Sequence, residues 1–492
     1  MTVSVDPTVT TDDTDETPPP SQLSGVGVAI LLCGAVLPFL DQFIVNVALP
    51  SIDSTLKASP ATLELTVAGY GTAYALFLIM GGRLGDAYGR RTLFVIGLGG
   101  FTLSSLVCGL APNIDVLVGA RIAQGCSAAL IMPQVLGTFH ATLTGQRQGK
   151  AVGLYGATAG MSAVAGQLIG GLLIAANVAG ESWRPIFLVN VPIGVFAVIA
   201  ASRLVPNTRS ANPASMDPPG TALFGLTMLT LLIPLTEGRT LGWPLWTWIV
   251  LAVSPVAAVA TYLVERRAER RGGSPLLSPS LFAVRSMRRG SALALPFFLS
   301  FGAFMFVFSL TVQTGLHQSA LHSGLAITPL AVTFLIGSML TPRLFARYGR
   351  RVLLVGGLVQ AFALGSLTAI VVDRWPHVAL QELAPSLALS GFGGALIFVS
   401  LFRLVLADVP VHPAGIGGGA MVTLQQTGYA LGIATLGSLF LSMGSHHISS
   451  GFGWVVGIEA AVAVFIAAGS FLLPRIAGPG ENLPLENVAL EV

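Results

Sequence analysis

The sequence predicts an all-α polytopic membrane protein: two related six-helix bundles with two inserted central helices, fourteen spanning helices in all. Three observations lead there. Of 492 residues, 53% are hydrophobic and only 10% are charged, whereas soluble domains carry roughly 25% charge. Fourteen runs are long and apolar enough to cross a bilayer, which takes about 20 residues. A short charged loop also occurs twice: residues 83–93 recur as 343–353, offset by 260, with seven of eleven positions identical. One turn duplicated at the same place between apolar runs marks an internal repeat.

In chain order, residues 1–22 are rich in Thr, Asp, Glu and Pro and lack a basic start. A disordered cytoplasmic tail is expected there, not a signal peptide. The apolar runs follow at about 24–49, 61–82, 92–111, 115–138, 150–176, 185–204, 218–237, 245–264, 291–314, 321–342, 352–372, 378–402, 414–441 and 452–474. The first copy of the loop joins runs two and three, and the second joins runs ten and eleven. Matched bundles therefore cover 23–204 and 291–474, and the inserted helices 205–264. A basic linker takes 265–290 and a second tail 475–492. Repeats of this kind build many secondary transporters.

Charge sets the orientation. One set of alternate loops holds Arg83, Arg90, Arg91, Arg147, Lys150, Arg203, Arg209, seven arginines between Arg266 and Arg289, then Arg343, Arg347, Arg350, Arg351 and Arg403. The other holds Lys57, Arg184, Arg239 and Arg374. The first set is expected in the cytoplasm, with both termini, in a multi-pass protein of the inner (cytoplasmic) membrane. Cys33, Cys108 and Cys126 lie in apolar runs without disulfide or metal spacing. No metal site, nucleic-acid partner or enzyme activity is expected.

Several motifs resemble a known family. Gly82-x-Leu84-x-Asp86-x-x-Gly89-Arg90-Arg91 resembles the loop signature of the major facilitator superfamily. The stretch from Leu40-Asp41-Gln42 to Leu49-Pro50 resembles the first-helix signature of its fourteen-helix drug:proton antiporter branch. Arg121-Ile122-Ala123-Gln124-Gly125 resembles the fourth-helix arginine motif. The stretch from Trp183-Arg184-Pro185 to Asn190-Val191-Pro192-Ile193-Gly194 resembles the start of the sixth helix in that branch. The resemblance runs nearly the whole chain outside the tails. It implies a major-facilitator-type fold, alternating access and export driven by inward proton movement, with no cofactor. Two departures stand out. The fifth-helix motif reads Gly166-Gln167-Leu168-Ile169-Gly170-Gly171, with Gln167 where proline is usual, and Ala346 replaces Asp86 in the second loop copy.

The residues carry chemistry of their own. In the loop, Gly82 would allow a close helix approach and Gly89 a tight turn. Asp86 can pair with an arginine or cap a helix N-terminus from the cytoplasmic side. The loop is then either a cytoplasmic gate latched by charge pairs or a turn whose charges only set orientation. Asp41 lies roughly 12 Å below the outer end of the first helix at 1.5 Å per residue, and Arg121 lies at similar depth on the fourth. Intramembrane carboxylates are costly and mark function. Asp41 is read as a proton acceptor or cation contact regulated by Arg121; the alternative is a static buried pair.

Asn46, Gln124, Phe301, Phe304, Glu382 and Gln425 are the expected cavity residues; the phenylalanines share a helix face that could either bind apolar or cationic molecules or face lipid or a neighbouring helix. Gly166, Gly170 and Gly171 are expected to pack helices closely. Glu64, Asp115, Glu237 and Glu382 lie near outer helix ends, where snorkelling is the default, and Glu459 is expected to pair within its bundle or touch headgroups. Gly415-x-Gly417-x-x-Ala420 reads as helix packing, and His446-His447 as an outer loop. No GxxxxGK[ST] is present, which speaks against ATP-driven transport by this chain. The expected function is a monomeric secondary exporter of small amphipathic compounds, working in the lipid bilayer by exchange with protons. With Gln167 in place of proline, an uptake carrier or facilitator on the same fold is the alternative.

Overall fold

The computed structural model describes residues 23–210, 213, 215, 217–408, 414–443 and 447–473. Both expected tails and His446 lie outside them. Among the described residues there are helices and no strand.

The first half contains α1 (Gly25–Leu56), α2 (Pro60–Tyr88), α3 (Arg90–Gly109), α4 (Ile114–Thr142), α5 (Gly145–Ala176) and α6 (Pro185–Leu204). Next come α7 (Pro218–Thr240) and α8 (Leu245–Arg270). The second half contains α9 (Arg285–Gly315), α10 (Ala320–Tyr348), α11 (Arg351–Arg374), α12 (Leu380–Val405), α13 (Ala414–Gly432) and α14 (Ile448–Leu472). α13 continues through a π-helical turn, Ile433–Gly437, into Ser438–Ser442.

Twelve of these helices are long and apolar enough to cross a membrane, among the described residues. The other two members of the expected fourteen, α5 and α13, are helical over the expected runs.

The repeat is visible in local structure. Ser59 caps α2 by accepting from Thr62 N, and 260 residues on Ser319 caps α10 by accepting from His322 N. Both helices stop at a glycine with positive φ, Gly89 at 107° and Gly349 at 54°, a region that side chains with a Cβ rarely adopt. Packing repeats too: α2 lies on α4 as α10 lies on α12, and α1 on α5 as α9 on α13. The crossings between the halves are paired in the same way, α5 on α10 and α13 on α2. The inserted α7 and α8 pack on each other, and α7 rests on α2 beside this seam.

The close approach of α2 to α4 does not fall on Gly82. A Cβ there would meet Pro133 at 3.5 Å, an ordinary contact. A Cβ at Gly81 would lie 2.2 Å from the Ala129 carbonyl oxygen, and one at Gly85 1.8 Å from Gln134 Oε1. Gly81 and Gly85 are four residues apart and share a face, whereas Gly82 is turned about 100° away.

Candidate functional site

Asp41 of α1 and Arg121 of α4 are fully buried side by side in the first half. Arg121 donates through Nη1 to Asp41 Oδ2 and, at 2.7 Å, to Gln124 Oε1; its Nε donates to the Thr66 carbonyl at 3.0 Å. Gln124, one turn along α4, donates through Nε2 to Asp41 Oδ1 at 3.0 Å and to Ser105 Oγ at 2.7 Å. Asn190 of α6 adds a third donor, 3.1 Å from Asp41 Oδ1. The guanidinium sits over the Tyr70 ring, 4.4 Å from its centroid, and the Tyr70 hydroxyl donates to the Pro38 carbonyl at 3.0 Å.

Five helices thus meet on one carboxylate. Two buried charges are tolerated here because each faces the other and nearly every remaining polar position is filled. Arg121 Nη2 and Asn190 Oδ1 are the positions left without a partner. As arranged, the carboxylate is fully matched in its ionised form.

The second feature is a joint between the halves at the end remote from the arginine clusters. A Cβ on Gly171 of α5 would lie 2.7 Å from the Ala320 carbonyl oxygen of α10, and one on Gly324 of α10 would lie 2.6 Å from the Gln167 carbonyl oxygen. Gly166 and Gly170 face α1 instead: their Cβ atoms would come within 2.7 Å of Leu40 O and 2.8 Å of Ile44 Cγ1. Nearby, Ser438 Oγ donates to Glu64 at 2.8 Å, and Ser309 Oγ to the Asn46 carbonyl at 2.9 Å. Midway, Gln42 donates to Gln426 at 2.9 Å. Among the described residues of α5, the joint with α10 does not continue towards the arginine-rich end. Met161, two turns from Leu168 on the same face of α5, is exposed, as is Leu154 two turns further.

The third feature is a small cavity inside the second half, lined by Phe297, Phe301 and Phe304 of α9 and by Glu459 of α14. The Phe301 ring also meets Phe43 of α1 edge-on at 6.1 Å.

The sequence profile of the Major Facilitator Superfamily matches residues 31–433. The chain belongs to that superfamily. It is 34% identical over 435 residues to the "Probable actinorhodin transporter" of Streptomyces coelicolor, covering 88% of this chain and 75% of that one. It is 34% identical over 420 residues to a puromycin resistance protein of Streptomyces alboniger, covering 84% and 81%. It is likewise 34% identical over 415 residues to a cephamycin export protein of Amycolatopsis lactamdurans, covering 83% of each. In fold it is similar to a POT family transporter, with a TM-score of 0.66 at 13% identity over 92% of this chain and 98% of that one. An inward-open xylose transporter from E. coli gives 0.62 at 16% identity over 92% and 96%. The protein is thus a multi-pass membrane transporter of small compounds and not an enzyme.

In this superfamily member the signature loop is bound mainly within its own half. Asp86 pairs with Arg90 at 2.6 Å, Arg90 reaches Thr208 Oγ1 at 3.3 Å, and Arg91 reaches the Val205 carbonyl at 3.4 Å. A latch from Asp86 to the other half is not among the described contacts. The residue of this loop that reaches the linker is Arg83. It is buried and donates to the carbonyls of Ser215, Ser274 and Pro275, on both sides of the inserted pair.

The expected cavity residues divide. Phe301 and Phe304 line the second-half cavity. Gln124 lies inside the Asp41 cluster. Asn46 is buried at the seam with its Oδ1 unpartnered. Gln425 donates to the Tyr429 hydroxyl at 2.8 Å. Glu382 is away from the cavity, paired with the exposed Arg374 near a helix end. Glu64 does not snorkel: it is fully buried, because Ser438 and α7 cover it. Asn190, Ser105 and Ser438 are the polar partners that the sequence reading did not single out. Asn190 was visible only as part of the sixth-helix motif.

Proposed function

We propose that the protein exports small amphipathic compounds, such as antibiotics, dyes or organic cations, from the cytoplasm in exchange for protons. The observation that carries this is the buried carboxylate of Asp41, locked by Arg121 beside a seam whose α5–α10 side is joined at the end remote from the arginine clusters. An intramembrane acid whose surroundings differ between two arrangements of the halves can take and release a proton. The names of the relatives, which speak of antibiotic export or resistance, support the direction and the cargo class.

With the arginine-rich end read as cytoplasmic, the exposed stretch of α5 at that end supports an inward-facing conformation. Export then requires separation at Gly171 and Gly324, closure at the arginine-rich end, and a differential affinity for cargo between the two arrangements. Phe301 offers cargo an aromatic surface at the seam. The decisive experiment is transport into inverted vesicles under an imposed pH gradient, screened over cationic, neutral and anionic compounds. Cargo movement that collapses with the gradient supports exchange. Movement indifferent to it would remove the antiport reading.

A further inference from the structure

Glu459 lies about midway along α14, 2% exposed, in the cavity it shares with Ser300 of α9, Gln360 of α11 and Ser390 of α12. Its surroundings differ in kind from those of Asp41. Glu459 Oε1, Gln360 Oε1 and Ser300 Oγ are all buried without a hydrogen-bond partner. Gln360 has already used its Nε2 on Ser390 Oγ, 3.1 Å away. Among the described residues no cation lines this cavity. The charged and titratable side chains of the neighbouring helices sit at their ends: Arg285, Arg288 and Arg289 on α9, His322, Arg343, Arg347 and Tyr348 on α10, Arg351, Asp373 and Arg374 on α11, Glu382 and Arg403 on α12. None of these lines the cavity. Tyr429 of α13 stands beyond Phe301, with its hydroxyl taken by Gln425.

The repeat sharpens the contrast. Phe301 occupies the position of Asp41 displaced by 260, so the second half has an aromatic ring where the first has its carboxylate. The acid enters this half from a different helix and brings no arginine with it. An ionised carboxyl would have only the neutral hydroxyls of Ser300 and Ser390 as donors, shared with Gln360 Oε1, and no cation to balance its charge. A carboxylic acid removes the unpaired charge and adds a donor: one proton on Glu459 can be given to Gln360 Oε1, directly or across a water. The cavity has room for roughly two water molecules. Turning the Gln360 amide over would give Glu459 one neutral donor and still no cation.

We propose that Glu459 is a second proton-binding site of this transporter, in the half that lacks an equivalent of the Asp41–Arg121 pair. Its ligand is the proton itself, carried as a neutral carboxylic acid and released to water when movement of the halves wets the cavity past Phe301. The coupling of this proton to cargo rests on the exchange reading; the binding of the proton does not.

The test is infrared difference spectroscopy of the full-length protein in lipid, between alkaline and acidic buffer. A carboxylic-acid carbonyl band is expected in the wild type, lost in Glu459→Gln, shifted in Glu459→Asp and kept in Asp41→Asn. Glutamine matches glutamate in size, so the fold should survive, and circular dichroism checks it. An identical band in wild type and Glu459→Gln, or no band in the wild type, overturns the proposal. Cargo movement indifferent to a pH gradient would remove the exchange reading and leave the infrared result standing.

Discussion

Asn190 Nδ2 lies 3.1 Å from Asp41 Oδ1, which ties the first turns of α6 to the middle of α1. A neutral donor on a buried charged acceptor contributes about 1.5–3 kcal/mol. Asn190→Leu should therefore destabilise the purified protein by about that amount. Chemical unfolding in detergent measures it, and unchanged stability would contradict the geometry.

Arg121 has no adequate substitute. Arg121→Ala leaves Asp41 buried without its cation, a loss of about 3–5 kcal/mol. Arg121→Lys keeps the charge but cannot reach Asp41, Gln124 and the Thr66 carbonyl together, since lysine lacks the planar fork. Arg121→Lys should insert and fold yet transport poorly, by at least about tenfold, equivalent to 1.4 kcal/mol. Wild-type transport by that variant, in vesicles matched for protein, would show that the fork is dispensable.

Gly171 holds the two halves together at backbone distance. Gly171→Leu would press a side chain into the Ala320 carbonyl and disfavour the conformation described by about 1–3 kcal/mol. That shifts the population roughly 5–150-fold toward separation at that end. Labelling of a cysteine placed at Ile174 should speed up from the side remote from the arginine clusters. Unaltered labelling would mean that the joint is not part of the movement.

The loop variants should separate strain from charge. Gly89→Ala forces a Cβ onto a φ of 107° and against Asn207, at a cost of about 1–3 kcal/mol. Asp86→Asn removes a partly exposed pair worth about 0–1 kcal/mol, so folding should be nearly untouched. If the loop gates transport, Asp86→Asn still lowers the rate; normal transport with normal insertion would reduce its charges to setting orientation.

Glu64 and Ser438 offer a test across the seam. Ser438→Ala removes a donor from a buried carboxyl and should weaken the closed end by about 1–3 kcal/mol. Faster labelling at that end, in the direction expected of Gly171→Leu, would support it. A change in labelling at the arginine-rich end alone would not.

How far the sequence could be read depended on the kind of question. Depth along an apolar run places a residue between the two membrane faces, and this set Asp41 and Arg121 at one level. Depth does not tell which way a side chain turns or what packs there. Gly82 was read as the contact where Gly81 and Gly85 make it, because a shift of one residue turns the helix by about 100°. Glu64 and Arg83 looked like end-of-helix charges, and both are buried by segments more than 120 residues away in the chain.

What the sequence determined by itself is the class and plan: apolar runs that must be helical because lipid leaves no other partner for the backbone, and a repeat readable in seven identical loop positions. Only the tertiary structure decided which polar groups meet. It closed one carboxylate with a guanidinium and two amides, left Glu459 in a cavity without a cation, and set Gly171 against Ala320. These pairings join helices distant in the chain. They depend on rotation about each helix axis and on which helices adjoin, quantities that neither composition nor the spacing of apolar runs contains.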